Sequence, residues 1–133
     1  MTEPQLLQHI DSISAFVARV REQQPDAVTL DSQGHICVPA ASSYLQELQE
    51  LIAAVTDDSG AQRILRRTRE RWFAALAAAD LAGQMTLPVM LEHISAAADA
   101  LITVARDWAM QSCVARYGTP LDSNGNAQQL MII

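Results

Sequence analysis

The chain contains no lysine, and aromatic residues make up only 5% of its 133 residues. All nine basic side chains are arginines, set against 15 acidic residues, which gives a formal net charge of −6. An acidic chain of this kind is a poor candidate for binding nucleic acid or an anionic membrane surface. Half of the residues are hydrophobic, and alanine is prominent among them, which favours closely packed helices over a β-sandwich. We therefore predict an all-α fold with no nucleic-acid partner.

Cysteines, targeting signals and long apolar runs are also scarce. The two cysteines, Cys37 and Cys113, lie far apart in the sequence. The N-terminal segment MTEPQLLQ has neither the basic region nor the apolar region of a signal peptide. No uninterrupted apolar run approaches the ~18 residues of a membrane span. The sequence thus predicts a cytoplasmic protein with free thiols and no membrane contact, and a single disulfide is the alternative.

Apolar residues recur at spacings of three and four along most of the chain, the period of an amphipathic helix. Pro25, Gly83 and Gly118 each follow such a segment and are typical of helix ends. Ser42 and Ser43 are the candidate caps of the second helix. We predict one helical domain over residues 1–133, with helices at 5–24, 42–55, 59–82 and 87–117. No internal repeat is visible.

The predicted architecture is an antiparallel bundle of about four helices. Its last helix is long, with about 30 residues against an average of roughly 10–14. Residues 26–41 alternate enough for a short hairpin, although a loop is favoured. Methionines and tryptophans at helical spacing indicate core more often than a partner-binding groove: Met85, Met90, Met110, Trp72 and Trp108. We expect the last helix to bury one apolar stripe, made of Leu91, Ile94, Ala98, Leu101, Ala105 and Trp108.

Five of the nine arginines fall within residues 63–71. Arg63, Arg67 and Arg71 follow one another at intervals of four and form a basic stripe on one helix face. Guanidinium groups bind phosphates and carboxylates in a bidentate manner, so this stripe is a candidate contact for a phosphate or an acidic partner. The simpler alternative is a solvent-exposed face with an Arg66–Glu70 ion pair.

Other candidate sites lack the residues that their chemistry needs. His35 and Cys37 have no second ligand pair for zinc. The loop at 122–126 resembles a calcium loop only loosely, because its Gly comes fourth and no acid follows. Asp57 and Asp58 suit helix capping better than metal binding. No nucleophile elbow or Gly-rich phosphate loop occurs. The sequence predicts no catalytic, cofactor-binding or metal site in this chain.

Three segments in the second half of the chain occur in a recognisable order: VTDDSGAQRILRRTRERWFAALAAADLAGQ, ISAAADALITVARDWAMQSCVARYGTP and NGNAQQLMII. They resemble the helical segment that precedes a nucleotidyltransferase domain in the bifunctional glutamine synthetase adenylyltransferase/adenylyl-removing enzymes. SISAFVARVREQQPD resembles the preceding region more loosely, and residues 27–43 match nothing recognisable. The pair Asp107-Trp108 favours the N-terminal, adenylyl-removing half, although AAADLAG and VARYG also suit the other half.

The resemblance implies that this chain is a fragment of such an enzyme. In that family the apolar run at 128–133 is the first strand of the catalytic sheet and leads into a G-x-G-K-L-G-G loop and an S-D-x-D segment. Neither motif occurs in the 133 residues. The family uses Mg²⁺ with ATP or phosphate to add AMP to a glutamine synthetase tyrosine or to remove it by phosphorolysis. We expect the fragment to be inactive alone.

The resemblance also implies partners: the missing nucleotidyltransferase domain, glutamine synthetase and a regulatory signal protein. Because an exposed apolar strand end promotes association, a homodimer through the C-terminal tail is a further expectation. The alternative function is a non-catalytic binding module that uses the face of Arg63, Arg67 and Arg71.

Overall fold

The structure, a computed structural model, describes residues 2–132 and contains five α-helices there. These are α1 (Glu3–Ile13), α2 (Ala15–Gln23), α3 (Tyr44–Ile52), α4 (Asp58–Leu81) and α5 (Leu87–Tyr117). Extended pairing within this range is limited to two isolated antiparallel bridges, Leu30–Ile36 and Leu121–Ala127. The prediction of an all-α fold is therefore confirmed. The described part of the expected terminal strand, residues 128–132, forms no strand, and Ile133 lies outside the described residues.

The prediction of one helix over 5–24 is wrong, because the helix is interrupted at Ser14. Ser14 has an extended backbone, with φ −122° and ψ 103°, and it ends α1 and begins α2. Its Oγ accepts the Val17 amide at 3.2 Å. The apolar period continues across the break, since Ile10, Val17 and Val20 are all buried. The regular apolar spacing therefore reflects that α1 and α2 are buried on the same side. The serine cap divides this stretch into two helices.

The other predicted helices correspond to single helices with small changes at their ends. α3 is shorter than the predicted 42–55, and Ser43 precedes it without a side-chain capping bond. The Ser43 hydroxyl donates instead to the Ala40 carbonyl at 2.9 Å. Asp57 caps α4, its Oδ1 accepting the Gly60 amide at 3.0 Å. After α4, Gly83 adopts a φ of +73°, a left-handed conformation that favours glycine.

Helix α4 contributes to both hydrophobic clusters of the fold. The first cluster joins α1, α2 and the loop after α2 to the C-terminal half of α4, around Ile10, Val17, Val20, Val28, Ile36, Ala74, Ala78 and Ala79. The second joins α3, α4 and α5, around Tyr44, Leu48, Trp72, Ala97, Ala100 and Val104. Trp72 and Met90 are buried as expected, and Met85 packs against the first cluster. The small alanines let the helices approach closely.

The predicted buried stripe of α5 is wrong. The buried residues are Met90, His93, Ala97, Ala100 and Val104. Leu91 and Ile94, which we expected in the core, are 54% and 37% exposed. At about 100° per residue, the buried side lies roughly 100° around the helix from the predicted one. The pattern misled because α5 is apolar on two adjacent sides, and neighbouring helices cover only one.

Helix α5 also has the length and composition that a membrane-crossing helix requires. It has 31 residues, is largely apolar, and is only partly buried inside the fold. This property was not predicted from the sequence, because polar residues such as Glu92 and Asp99 interrupt the apolar run. Core helices of proteins in water also meet the same criterion, and α5 contributes five buried side chains to the interior. Composition alone therefore does not assign α5 to a membrane.

One short hairpin occurs twice in the described chain, which the sequence analysis missed. Its sequences are LDSQGHI at 30–36 and LDSNGNA at 121–127. The Asp31 carboxylate accepts the amides of Gln33 and His35 at 2.8 and 3.0 Å. Asp122 accepts the amides of Asn124 and Asn126 at 2.8 and 2.9 Å. These backbone hydrogen bonds lower the pKa of both carboxyls below its usual value.

Candidate binding surface on helices α4 and α5

The predicted arginine stripe is divided by an ion pair. A guanidinium nitrogen of Arg71 lies 3.1 Å from Asp26 Oδ2, in the loop that follows α2. The hydrogen bond and charge of Arg71 lower the pKa of the Asp26 carboxyl. Arg71 therefore links α4 to this loop, and it is not placed with Arg63 and Arg67 for a shared external ligand.

Arg66, and not Arg71, lies together with Arg63 and Arg67. Arg63, Arg66 and Arg67 line a pocket of about 300 Å³, completed by Gln23, Gln24 and Glu70. Gln24, only 5% exposed, donates its side-chain amide to the Arg67 carbonyl at 3.3 Å and so fixes one wall.

None of these three arginines forms an ion pair with another residue in the range 2–132, and the expected Arg66–Glu70 pair is not formed. Unpaired guanidinium groups on neighbouring helical turns can hold a phosphate or a carboxylate by charge-assisted hydrogen bonds. The pocket is therefore a candidate site for an external anion.

An apolar groove of about 380 Å³ adjoins this pocket, between α4 and α5. Its apolar lining consists of Leu65, Leu101, Ile102 and Ala105, with Gln62, Arg66 and Arg69 on the α4 side. Arg66 borders both the pocket and the groove. The groove was not predicted from the sequence, because Leu101 and Ala105 were expected in the buried stripe. The surplus of apolar residues on α5 was the signal that could have revealed it.

The two aspartates at the start of α4 have different roles. Asp57 caps the helix, as the sequence predicted. Asp58 Oδ1 instead accepts the indole N–H of Trp108 at 2.8 Å and the Ser112 hydroxyl at 3.4 Å. Trp108 is half-buried rather than core. This contact ties the N-terminus of α4 to the C-terminal half of α5, beside an open cleft of about 490 Å³ that Arg116 also lines.

The candidate metal ligands are not brought together. Among residues 2–132, no three side chains of His, Cys, Asp or Glu are arranged to hold a metal ion. His35 Nδ1 lies 3.8 Å from Asp31 Oδ2. Cys37 and Cys113 are exposed free thiols. The Asp122 carboxylate, which the calcium-loop comparison singled out, is occupied by the amides of its own hairpin.

The second hairpin and the residues after it lie beside α5. A shallow pocket of about 350 Å³ separates them from the helix and is lined by Arg106, Asp107, Met110, Gln128 and Leu130, among others. Met110, expected in the core, is therefore only half-buried. Met131 and Ile132 are exposed.

Comparison with known proteins gives a consistent match along the chain. The family model described as glutamate-ammonia ligase adenylyltransferase matches residues 4–133. A bifunctional glutamine synthetase adenylyltransferase/adenylyl-removing enzyme from Idiomarina loihiensis is 34% identical, over 98% of this chain and 14% of its own length. The enzyme of that name from Shewanella loihica is 38% identical over 96% of the chain and 13% of its own length. This chain thus spans about one seventh of the relatives that it matches.

Proposed function

The chain belongs to the glutamate-ammonia ligase adenylyltransferase family, and from this premise we propose that it is a non-catalytic helical segment of such an enzyme. The whole enzyme would add AMP to a glutamine synthetase tyrosine or remove it by phosphorolysis, in the cytoplasm. The observation that carries the proposal is the match over residues 4–133, which includes nearly all of the five helices. The chain's role would be to pack against the nucleotidyltransferase domain and hold it in place.

The groups of the described chain suit positioning better than phosphoryl chemistry. Mg²⁺ in phosphoryl-transfer sites is held by one or two carboxylates together with waters and substrate phosphates. In line with the family resemblance, we propose that Mg²⁺ and ATP or phosphate bind to another segment of the enzyme. The second hydrophobic cluster and the Asp58–Trp108 hydrogen bond make α3, α4 and α5 a fixed unit. A fixed unit with an uncovered apolar side is what a positioning segment requires.

Addition of the chain in trans tests this role. The nucleotidyltransferase segment of the parent enzyme would be produced without these helices. It would be assayed for AMP removal with adenylylated glutamine synthetase and phosphate, and for AMP incorporation with glutamine synthetase, Mg²⁺ and labelled ATP. We expect one of these activities to rise when the purified chain is added, and activity that is full without the chain and unchanged by it would contradict a positioning role.

A second candidate function is a binding module, favoured by the three arginines of the α4 pocket, which form no ion pair within residues 2–132. We propose that Arg63, Arg66 and Arg67 contact an anionic surface of glutamine synthetase or of a regulatory signal protein. Such contacts weaken with salt, because ions screen them. Binding to immobilised glutamine synthetase should fall in a variant with all three changed to Gln, whereas Arg19→Gln on α2 is the matched control. If the triple variant binds as tightly as the wild-type chain and its binding does not depend on salt, the three arginines do not form the contact surface.

A homodimer through the C-terminal tail is also proposed, since Leu130 and Met131 are exposed apolar residues. Sedimentation equilibrium of the wild-type chain and of a Leu130→Ser/Met131→Ser variant tests it. A dimer that persists in the variant would place the interface elsewhere.

A further inference from the structure

Two sides of α5 are apolar, but only one of them is covered. Helix α3 and the inner side of α4 bury Ala97, Ala100 and Val104. The adjacent side carries Leu91, Ile94 and Ile102, which are 54%, 37% and 47% exposed. It continues into the groove with Leu65 and Leu101. We call these five residues the open α4/α5 face.

The open α4/α5 face is long enough to bind one α-helix. At 1.5 Å per residue, the run from Leu91 to Ile102 is roughly 17 Å long, about three helical turns. The groove at one end lies between two helices, so a third helix can rest on both. Its floor consists of branched apolar side chains and Ala105. A partner helix with an apolar stripe would bury this surface.

The charges at the two borders of the face differ in sign. On the α4 border, Arg66 and Arg69 are exposed, and neither forms an ion pair within residues 2–132. On the opposite border, α5 carries the exposed acids Glu92 and Asp99. By helical geometry, Glu92 lies about 100° from Leu91 and Asp99 about 60° from Ile102, both on the side away from α4. The face is therefore basic along one edge and acidic along the other.

We propose that the open α4/α5 face docks an amphipathic α-helix whose apolar stripe is bordered by acidic residues on the side that meets Arg66 and Arg69. The apolar stripe fills the groove between Leu65, Leu101 and Ile102. A helix with acids on both flanks would meet Glu92 and Asp99 and be repelled. Acids on a single flank thus also set the direction in which the partner helix lies.

This inference uses the same uncovered apolar side as the proposed positioning role, but its test measures peptide binding and not AMP transfer, so the two can fail separately. The probe is a synthetic, fluorescently labelled helical peptide of about 18 residues, with leucines at i, i+3, i+4 and i+7 and glutamates along one flank. Its binding to the full chain is measured by fluorescence anisotropy. A second peptide with each Glu replaced by Gln reports the contribution of charge.

The variants separate the apolar from the charged contacts. Ile102→Asp should weaken peptide binding about tenfold or more, because it buries a carboxylate in an apolar contact. Arg66→Gln/Arg69→Gln should weaken binding of the Glu peptide by roughly three- to fivefold and leave the Gln peptide unaffected. Ile13→Asp, at an exposed position of α1, is the matched control and should bind as wild type. Thermal unfolding of Ile102→Asp checks that the fold is kept.

The proposal is overturned if the Glu peptide does not bind, or if Ile102→Asp binds it as tightly as Ile13→Asp does. Equal binding of the Glu and Gln peptides would show that the face does not select acidic residues in the partner helix, which contradicts the proposal. A wild-type dimer in sedimentation equilibrium that Ile102→Asp dissociates would show that a second copy occupies the face, which also contradicts the proposal.

Discussion

The hydrogen bond between Tyr44 and His93 should contribute measurably to stability. The Tyr44 hydroxyl lies 2.9 Å from His93 Nδ1, and both residues are buried, at 1% and 8% exposure. Burial raises the pKa of Tyr44 to about 12, so the hydroxyl keeps its proton at neutral pH. The tautomer of His93 decides which of the two groups donates. Tyr44→Phe removes the hydroxyl but keeps the ring, which packs edge-on against Trp72 with centroids 4.8 Å apart.

The expected loss of stability follows from the His93 ring nitrogen, which the substitution leaves without a hydrogen-bond partner. His93 Nδ1 would lose its partner in a largely water-free site, which typically costs about 1–3 kcal/mol. The loss of ring contacts should be small, because the aromatic ring is retained. For a domain of this size, each 1 kcal/mol corresponds to roughly 3–5 °C in Tm.

Urea unfolding followed by circular dichroism measures this free energy. The control is Tyr117→Phe, which removes the hydroxyl of an exposed tyrosine and should change the free energy of unfolding by less than about 0.5 kcal/mol. In a double-mutant cycle with His93→Leu, the two changes should be clearly non-additive. If Tyr44→Phe is as stable as Tyr117→Phe, the hydroxyl does not hold His93 in the folded protein.

Three further predictions concern ionisation, capping and the second hairpin. In a Tyr117→Phe variant, absorbance at 295 nm should report Tyr44 alone and titrate at about 12. This raised pKa means that folding stability is intact below pH ~10, the unfolded value, and falls as the pH rises towards 12; a midpoint near 10 would contradict the burial. Ser14→Ala removes the α2 cap and should lower the free energy of unfolding by about 1 kcal/mol, with no change arguing against the break at this residue. Asp122→Ala should accelerate hydrogen exchange at the amides of Asn124 and Asn126. Because the pKa of Asp122 is lowered, the wild-type protection should hold above pH ~4 and be lost as the pH falls through that lowered pKa; protection that persists in the variant would contradict the carboxylate's role.

Local signals in the sequence predicted helix ends well where one residue decides the geometry. Asp57 and Gly83 mark the ends of α4 through side-chain capping and a left-handed backbone. Ser14 carried the same kind of signal, but the unbroken apolar period around it favoured a single helix. The repeated hairpin was also readable, since L-D-S-x-G occurs at both sites. The Asp side chain sets that turn by binding two amides.

Which side of a helix is buried depends on its neighbours, and the sequence of α5 does not specify them. Leu91 and Ala97 lie on two adjacent sides that are both apolar, and only the packing of α3 and α4 selects the side of Ala97. The same holds for the arginines. Asp26 is distant from Arg71 in sequence, so its ion pair could not be predicted from helical spacing. The arginine face on α4 therefore stays a prediction, and the structure adds that Arg63 and Arg67 share a pocket with Arg66.

The most direct test of the account is an AMP-transfer assay with the purified chain alone. Glutamine synthetase, Mg²⁺ and labelled ATP are supplied in the forward direction, and adenylylated glutamine synthetase with phosphate in the reverse direction. The full-length parent enzyme is the positive control. The account predicts that the chain gives no AMP transfer or removal above a protein-free control. Activity of the chain alone in either direction would contradict the claim that it is a positioning segment without a catalytic centre.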